Sequence, residues 1–390
     1  MKHWAKLFAV VLAALMVVAC FASCEKKNDN YASGNTEIYV GASGPLTGGA
    51  ASYGIAVKNA AQMAFDEINE AGGLNGVKFK FVMMDDQHKS ELVSTNYTTM
   101  YEAGMQISLA CVTTAPCMEF KTLSKENNLF FMTPSASADA VVEYDNAYQM
   151  CFADARQGTA AAKYINDHYK GQTIGMLYRS DDPYSTGIFN AFQAEALDSS
   201  VQVVEASFSG DSVASFSAQI NTLKDCKFVF MPIYSAPAAQ FMTEAKNVIA
   251  KDAVYYGCDG LDGIDTSVQN FNINDIPQEI SFLSHFNSKA TDGKAAEFIK
   301  KYTEKYGSDT LNQFGASAYD CAYALYEALK QAGNKVSVTS SASDYCEALK
   351  GIFQGGFTFS GVTGDKITWD KDGFVNKDAI KYVVKEADKD

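Results

Sequence analysis

The sequence predicts an α/β protein built as two doubly wound, parallel-sheet lobes. Three observations lead there. Apolar strands alternate with amphipathic helices along almost the whole chain. The strands are too many for one open sheet, so the core divides in two. With 390 residues, 47% of them hydrophobic and 20% charged, the chain is long enough to fill both cores.

The elements follow in order. Lys2 and Lys6 precede an apolar stretch from Leu7 to Ala19, which suits a secretory signal peptide and is short for a membrane span. Two lipobox-like sites come next, Val17-Val18-Ala19-Cys20 and Phe21-Ala22-Ser23-Cys24. The first has the better residue three places before its cysteine. The second runs at once into Glu25 to Asn30, a polar tether suited to leaving a membrane surface. Cys24 is therefore the expected lipid anchor and Cys20 the alternative, with residues 1–23 as signal peptide and 24–36 as tether.

Ile38-Tyr39-Val40 opens the first sheet, and Ala61, Ala64, Phe65 and Ile68 share one helical face that Gly72-Gly73 stops. Strands are expected from Phe79 to Met84, Ile107 to Val112 and Leu129 to Thr133. The second lobe repeats the pattern, with a helix from Ala160 to Tyr169 and strands at Thr173 to Tyr178, Val201 to Ala206, Phe228 to Met231 and Val254 to Tyr256. Long helices are expected from Ala295 to Lys305 and from Ala316 to Gln331. Asp365 to Trp369 followed by Asp370-Lys371-Asp372-Gly373 reads as a hairpin.

Composition excludes several functions. A net charge of −14 argues against nucleic acid, whose phosphates need Lys and Arg. No two glycines flank a single residue and no Gly-Lys-Ser/Thr occurs, so neither nucleotide fingerprint is present. In Gly41-Ala42-Ser43-Gly44-Pro45 a proline stands where a nucleophile elbow needs its second glycine. No nucleophile–base pair is visible, so no enzyme is expected. His88, His168 and His285 lack companions at ligand spacing, so no metal is expected, and Asp370 to Gly373 lacks the third acid and closing glutamate of a calcium loop. Past Cys24 seven scattered cysteines remain, an odd number that reads as small buried hydrophobes.

What carries chemistry sits at strand ends. Thr113-Thr114-Ala115 and Ser135-Ala136-Ser137 both follow apolar strands and are read as leading into helices. Each offers hydroxyls and free N–H groups at a positive helix start, an anion site, although a plain N-cap accounts for any one of them. Both lie at the strand ends where doubly wound sheets bind ligands. Asp259 in Gly257-Cys258-Asp259-Gly260 ends another strand with the opposite charge, suited to a cation or to a turn. Tyr53, Tyr184 and Tyr234 stand at further strand exits. Together they are an inventory for a zwitterion carrying a side chain.

Gly41 to Pro45 with Tyr53-Gly54, Asp66-Glu67-Ile68-Asn69 before Gly72-Gly73, Asp85-Asp86, Pro134 to Ser137, Ala161 to Ile165 and Gly364 to Asp370 form a set. That set resembles the leucine/isoleucine/valine-binding proteins, type I periplasmic binding proteins that feed ABC transporters, over nearly the whole mature chain. The resemblance implies two lobes joined by three hinge crossings, near Phe152-Asp154, Phe282-Ser284 and Phe359-Gly364. Residues 37–152 with 285–358 would form the first lobe and 153–284 with 359–390 the second. It implies Thr114 and Ser137 on a ligand carboxylate, with Ala136 beside Ser137 as a further ligand-binding residue. The Ser135 carbonyl and Asp259 would face the ammonium, and Tyr184 and Tyr234 would be aromatic contacts.

Asp259 replaces a glutamate of the family on a shorter arm. Tyr53 replaces a tryptophan, which leaves branched-chain specificity open. His88 and Thr113 replace a disulfide-forming pair. The expected activity is capture of a free amino acid, branched-chain or related, by a lipid-anchored protein outside the cytoplasm, with an ABC permease as partner and no cofactor. The same fold also serves sensors that bind an amide or small carboxylate for a regulatory partner.

Overall fold

The computed structural model describes residues 30–388. The signal segment and both candidate anchors, Cys20 and Cys24, lie outside the described residues. Part of the expected tether does not hang free. Tyr31–Gly34 form a 3-10 turn with Ala32 buried, capped by the Asn30 side chain. The Asn30 amide donates to the Thr339 carbonyl at 2.9 Å and the Asn35 amide to the Gly104 carbonyl at 2.9 Å. Those bonds dock residues 30–35 on the first lobe.

The first sheet contains β1 (Ile38–Gly44), β2 (Phe79–Asp85), β3 (Ile107–Cys111), β4 (Phe131–Thr133) and β5 (Ala147–Gln149). Their order is β2-β1-β3-β4-β5, all parallel. The second sheet contains β6 (Thr173–Arg179), β7 (Gln202–Phe208), β8 (Phe228–Met231), β9 (Val254–Gly257), β10 (Glu279–Ser284) and β13 (Ile380–Lys385). Its order is β13-β10-β9-β8-β6-β7, with only β13 antiparallel. Strands β11 (Thr358–Phe359) and β12 (Ile367–Thr368) pair as a small hairpin. The tail turn is present too, since the Asp370 carboxylate accepts from the Asp372 and Phe374 N–H groups.

Strand order reverses beside β1 in the first sheet and beside β6 in the second. Such switch points open a crevice at the strand C-termini. Apolar side chains on the helices close the other faces. The helices Ala51–Glu70 and Gln313–Ala332 pack on one another over the first sheet, burying Phe65, Leu325 and Leu329. Helix Asp154–His168 starts six residues before the expected Ala160, because Asp154, Gln157 and Gly158 are buried although polar or small.

The chain passes between the two cores at two places before its C-terminal segment. Met150 lies in the first core and Phe152 in the second, while Leu283 lies in the second and Phe286 in the first. The third passage differs. Phe359, Ile367, Trp369 and Val375 pack in the first core, and the Trp369 indole donates to the Gln149 carbonyl at 2.7 Å. The return to the second sheet therefore falls after Val375, not at Phe359–Gly364.

Candidate functional site

The two crevices face each other across a cavity with about 250 Å³ of empty volume, counted out to its open side. On the first-lobe side β3 ends irregularly. Ala110 adopts a left-handed φ of 52°, and the register against β1 shifts between Gly41 and Ser43. Such a bulge re-aims the residues that follow, here Val112, Thr113 and Thr114, all of which line the cavity. Thr114 heads the 13-residue helix Thr114–Glu126, and its buried Oγ1 has no partner among the described residues. A buried hydroxyl without a partner is costly unless something supplies one.

The β4 exit is braced rather than free. The Ser135 hydroxyl donates to the Val112 carbonyl at 2.6 Å, joining the two strand exits. Thr133 Oγ1 accepts from the Ser135 and Ala136 N–H groups. Ala136 is spent in this bracing, because its carbonyl also accepts from Gln149 Nε2 at 3.0 Å, and it is absent from the cavity wall. Of the expected ligand residues it is the one that does not line this cavity. Ser135 and Ser137 do line the cavity. They lead into the 3-10 turn Asp139–Val142 and not into an α-helix, since Gln149 holds the Ala136 and Ala138 carbonyls in an extended segment.

Tyr53 lies in the first turn of helix Ala51–Glu70. A Cβ at Gly54 would collide with the Pro45 carbonyl, so only glycine lets this turn approach the loop after β1. The Tyr53 ring is 2% exposed and reaches the other lobe, where its hydroxyl donates to the Gly260 carbonyl at 2.7 Å. Ser235 N–H donates to the Tyr53 hydroxyl at 2.9 Å, and Ser235 Oγ lies 2.7 Å from that hydroxyl.

The second lobe contributes Tyr184, Tyr234, Asp259 and Gly260. Asp259 begins the 3-10 turn after β9 and is 2% exposed. Its Oδ1 accepts from the Tyr184 hydroxyl at 2.7 Å and Gln157 Nε2 at 3.0 Å, while its N–H donates to Gln157 Oε1 at 2.9 Å. Gly260 N–H donates to the Tyr184 hydroxyl at 2.9 Å. Burial pushes the Asp259 carboxyl up to about 6, against the opposing pull of the Tyr184 and Gln157 bonds. Asp154 nearby is raised well above the carboxylate range, by burial first and the Asp259 charge second. Among the described residues, no lysine or arginine lines the cavity. One end thus offers a carboxyl in need of a cation, and the other offers hydroxyls at a helix start.

Aromatic rings supply the remaining wall. Tyr184 and Tyr234 stack with centroids 4.7 Å apart, and Phe314 meets Tyr53 edge-on at 5.1 Å. Tyr234 also meets the His88 ring edge-on at 5.2 Å. His88 Nδ1 lies 2.8 Å from Thr113 Oγ1, so the two positions that replace a cysteine pair are joined by a hydrogen bond.

Seven of the eight ligand residues read from the sequence line this one cavity: Tyr53, Thr114, Ser135, Ser137, Tyr184, Tyr234 and Asp259. Phe314 and Gln157 escaped that reading. Phe314 comes from a distant helix whose start is set by Asn312 and by the Asp262 carboxylate, which accepts from Gln313 N–H at 2.8 Å. The signal for Gln157 was the polar run Asp154 to Gln157 at the head of an otherwise apolar helix face.

Comparison with known proteins agrees with this architecture. The family model described as periplasmic binding protein matches residues 37–389. The Leu/Ile/Val-binding protein BraC3 of Rhizobium johnstonii is 27% identical over 323 residues, 81% of this chain and 84% of that protein. A leucine-, isoleucine-, valine-, threonine- and alanine-binding protein of Pseudomonas aeruginosa is 27% identical over 256 residues, 64% of this chain and 66% of that one. The crystal structure of a leucine binding protein, LivK, from Thermotoga maritima superposes with a TM-score of 0.75 at 21% identity, covering 89% of this chain and 95% of that one.

Proposed function

The chain belongs to the periplasmic binding protein family, and from that membership we propose that it is an extracytoplasmic solute-binding protein for a free amino acid. The observation that carries this reading is the opposed polarity of the cavity. The unpartnered Thr114 hydroxyl at a helix start faces one end, and the buried Asp259 carboxyl, with no lysine or arginine lining the cavity among the described residues, faces the other. An α-carboxylate and an α-ammonium would satisfy both groups at once. The relatives' names point to the same class of ligand. The protein binds and does not turn its ligand over. Lipid on Cys24 holds it at the outer face of the membrane, and an ABC permease receives the ligand from the closed form.

A thermal-shift screen over free amino acids tests the reading. A ligand at 100 times its Kd stabilises the protein by roughly 2.7 kcal/mol. At least one amino acid is expected to raise the melting temperature. If none does, while an amide or carboxylate lacking an amino group does, the amino-acid reading falls and the sensor reading replaces it.

A further inference from the structure

Behind the Asp259 wall of the cavity stands a second buried carboxyl. Asp154 opens the helix Asp154–His168 just after the first passage between cores, and it is 1% exposed. Its N–H donates to the Ser137 carbonyl at 2.8 Å, which ties it to the first-lobe segment at the cavity. Gln157, one turn on, joins the two acids. Its Oε1 accepts from Asp259 N–H at 2.9 Å, and that bond leaves Nε2 as the donor side. Nε2 donates to Asp259 Oδ1 at 3.0 Å and to Asp154 Oδ1 at 3.2 Å, so the two acids flank one nitrogen.

Two buried carboxyls this close do not both ionise without a cation between them. The charged groups that act on Asp154 from the packed elements are acids: Asp259 after β9, Asp139 before β5 and Asp182 at the head of helix Pro183–Ala194. Arg156, on the same helix as Asp154, donates to the Lys377 carbonyl at 2.7 Å. The Lys377 ammonium donates to the Met150 carbonyl and to Thr363 Oγ1, both at 2.6 Å. Burial holds the nearby Tyr184 and Tyr234 phenols and the Cys151 and Cys258 thiols neutral. The two acids differ in what reaches them. Asp259 Oδ1 accepts from the Tyr184 hydroxyl as well as from Gln157, and Asp259 lines the cavity. Asp154 Oδ2 is buried with no partner among the described residues. A Cβ at Gly187 would come within 3.4 Å of that oxygen, so helix Pro183–Ala194 packs over it. A neutral hydroxyl there costs far less than an unpaired carboxylate oxygen. Burial and the Asp259 charge favour the neutral form of Asp154 over the opposing pull of the Ser137 side chain.

We propose that Asp154 is a positioning residue of the ligand site that stays protonated, so that the pair bridged by Gln157 presents one negative charge, on Asp259, to the ligand's ammonium. The proposal deepens the reading of the cavity as an amino-acid site and rests on it for the ammonium. Asp154 does not line the cavity. It holds Gln157 Nε2 between the two acids, and Gln157 in turn holds the carboxyl and the N–H of Asp259. One ammonium then balances the site, whereas two ionised acids would leave a buried charge unpaired.

Two measurements test it. In protein with isotope-labelled aspartate carboxyls, the NMR signal lost in Asp154→Asn belongs to Asp154. It is expected to keep the protonated position from about pH 5 to about pH 8, while the signal lost in Asp259→Asn titrates near pH 6. An Asp154 signal in the ionised position within that window would overturn the proposal. Calorimetry of L-leucine and L-alanine on the wild type, Asp154→Leu and Asp154→Asn reads the positioning role, in buffers of different ionisation enthalpy so that protons are counted. At about pH 5 the wild type is expected to release about one proton per amino acid bound, from Asp259. Asp154→Leu is expected to weaken binding about 10-fold, and Asp154→Asn, which keeps an acceptor for Gln157, to recover it to within about threefold. Should Asp154→Leu not fold, Asp154→Ala takes its place. Release of about two protons, or an apolar variant that binds like the wild type, would overturn the proposal. If isocaproate, which is L-leucine without its amino group, binds and neither amino acid does, the amino-acid reading falls. The NMR position of Asp154 then decides the carboxyl pair by itself.

Discussion

The Tyr53 phenol on one lobe donates to the Gly260 carbonyl on the other at 2.7 Å, and the phenol oxygen accepts from Ser235 N–H at 2.9 Å. With Ser235 Oγ at 2.7 Å from that hydroxyl, one side chain spans the cleft through three polar contacts. A Cβ at Gly260 would meet the Tyr184 hydroxyl and the Ile233 carbonyl, so the backbone that receives Tyr53 can approach only as glycine.

Tyr53→Phe is expected to loosen the closed form. It removes contacts worth roughly 0.5–1.5 kcal/mol each and leaves Ser235 N–H without a buried partner. Water can satisfy that group only if the lobes part. Small-angle scattering of the ligand-free variant should show a larger radius of gyration than the wild type. Equal radii would mean that Tyr53 does not hold the lobes.

Asp259→Asn is expected to cost more binding than Ser137→Ala. Removing one partner of a buried ion pair costs about 3–5 kcal/mol, more than ~100-fold in affinity. At Ser137 backbone donors remain, so the loss is about 1–3 kcal/mol. Calorimetry with the best ligand from the screen reads both. A variant at Asp259 that binds like the parent would remove the ammonium from the account.

The raised Asp259 carboxyl predicts the sign of two pH effects. Its folded value, about 6, lies above the ordinary 3.8. The stability it contributes is therefore full below the ordinary value and is lost as pH rises through about 6. Asp262, raised to about 7 by burial, acts the same way slightly higher. The ligand-free melting temperature should fall as pH rises from about 5 to about 8. Binding runs oppositely, because an ammonium prefers the ionised carboxyl. Affinity should climb through pH 6 and then level off, and Asp259→Asn should flatten that climb. A wild-type affinity independent of pH in this window would contradict the pairing.

Lipidation at Cys24 predicts the mass of the mature N-terminus. Mass spectrometry of protein taken from membranes should find a diacylglyceryl cysteine followed by Glu25. A mature chain that begins at Cys20, or one that carries no lipid, would reject the assignment.

Much of this protein is legible in its sequence because the relevant signals are local. Strand and helix periodicity marked the two lobes. The change from apolar run to small hydroxyl residues at Thr113-Thr114 and Ser135-Ala136-Ser137 marked strand exits. Asp259 and the tyrosines at other exits then fell into the same cavity. What the sequence by itself determined is therefore which residues end strands, and with what chemistry.

Other features depend on partners distant in the chain. The β5 and β13 strands are edges, the first only three residues long and the second partly exposed, so neither shows a period before its neighbour pairs with it. Ser137 stayed in the site while Ala136 left it, because Gln149 and Thr133 consume the Ala136 backbone groups. Phe314 joins the site only through packing of its helix, and residues Phe359 to Val375 went to the first core because Trp369 finds its acceptor on Gln149. Tyr53 ended as a bridge between lobes because its hydroxyl met Ser235 and Gly260. Tertiary structure alone decided these, since a buried polar group must find its partner wherever the fold provides one.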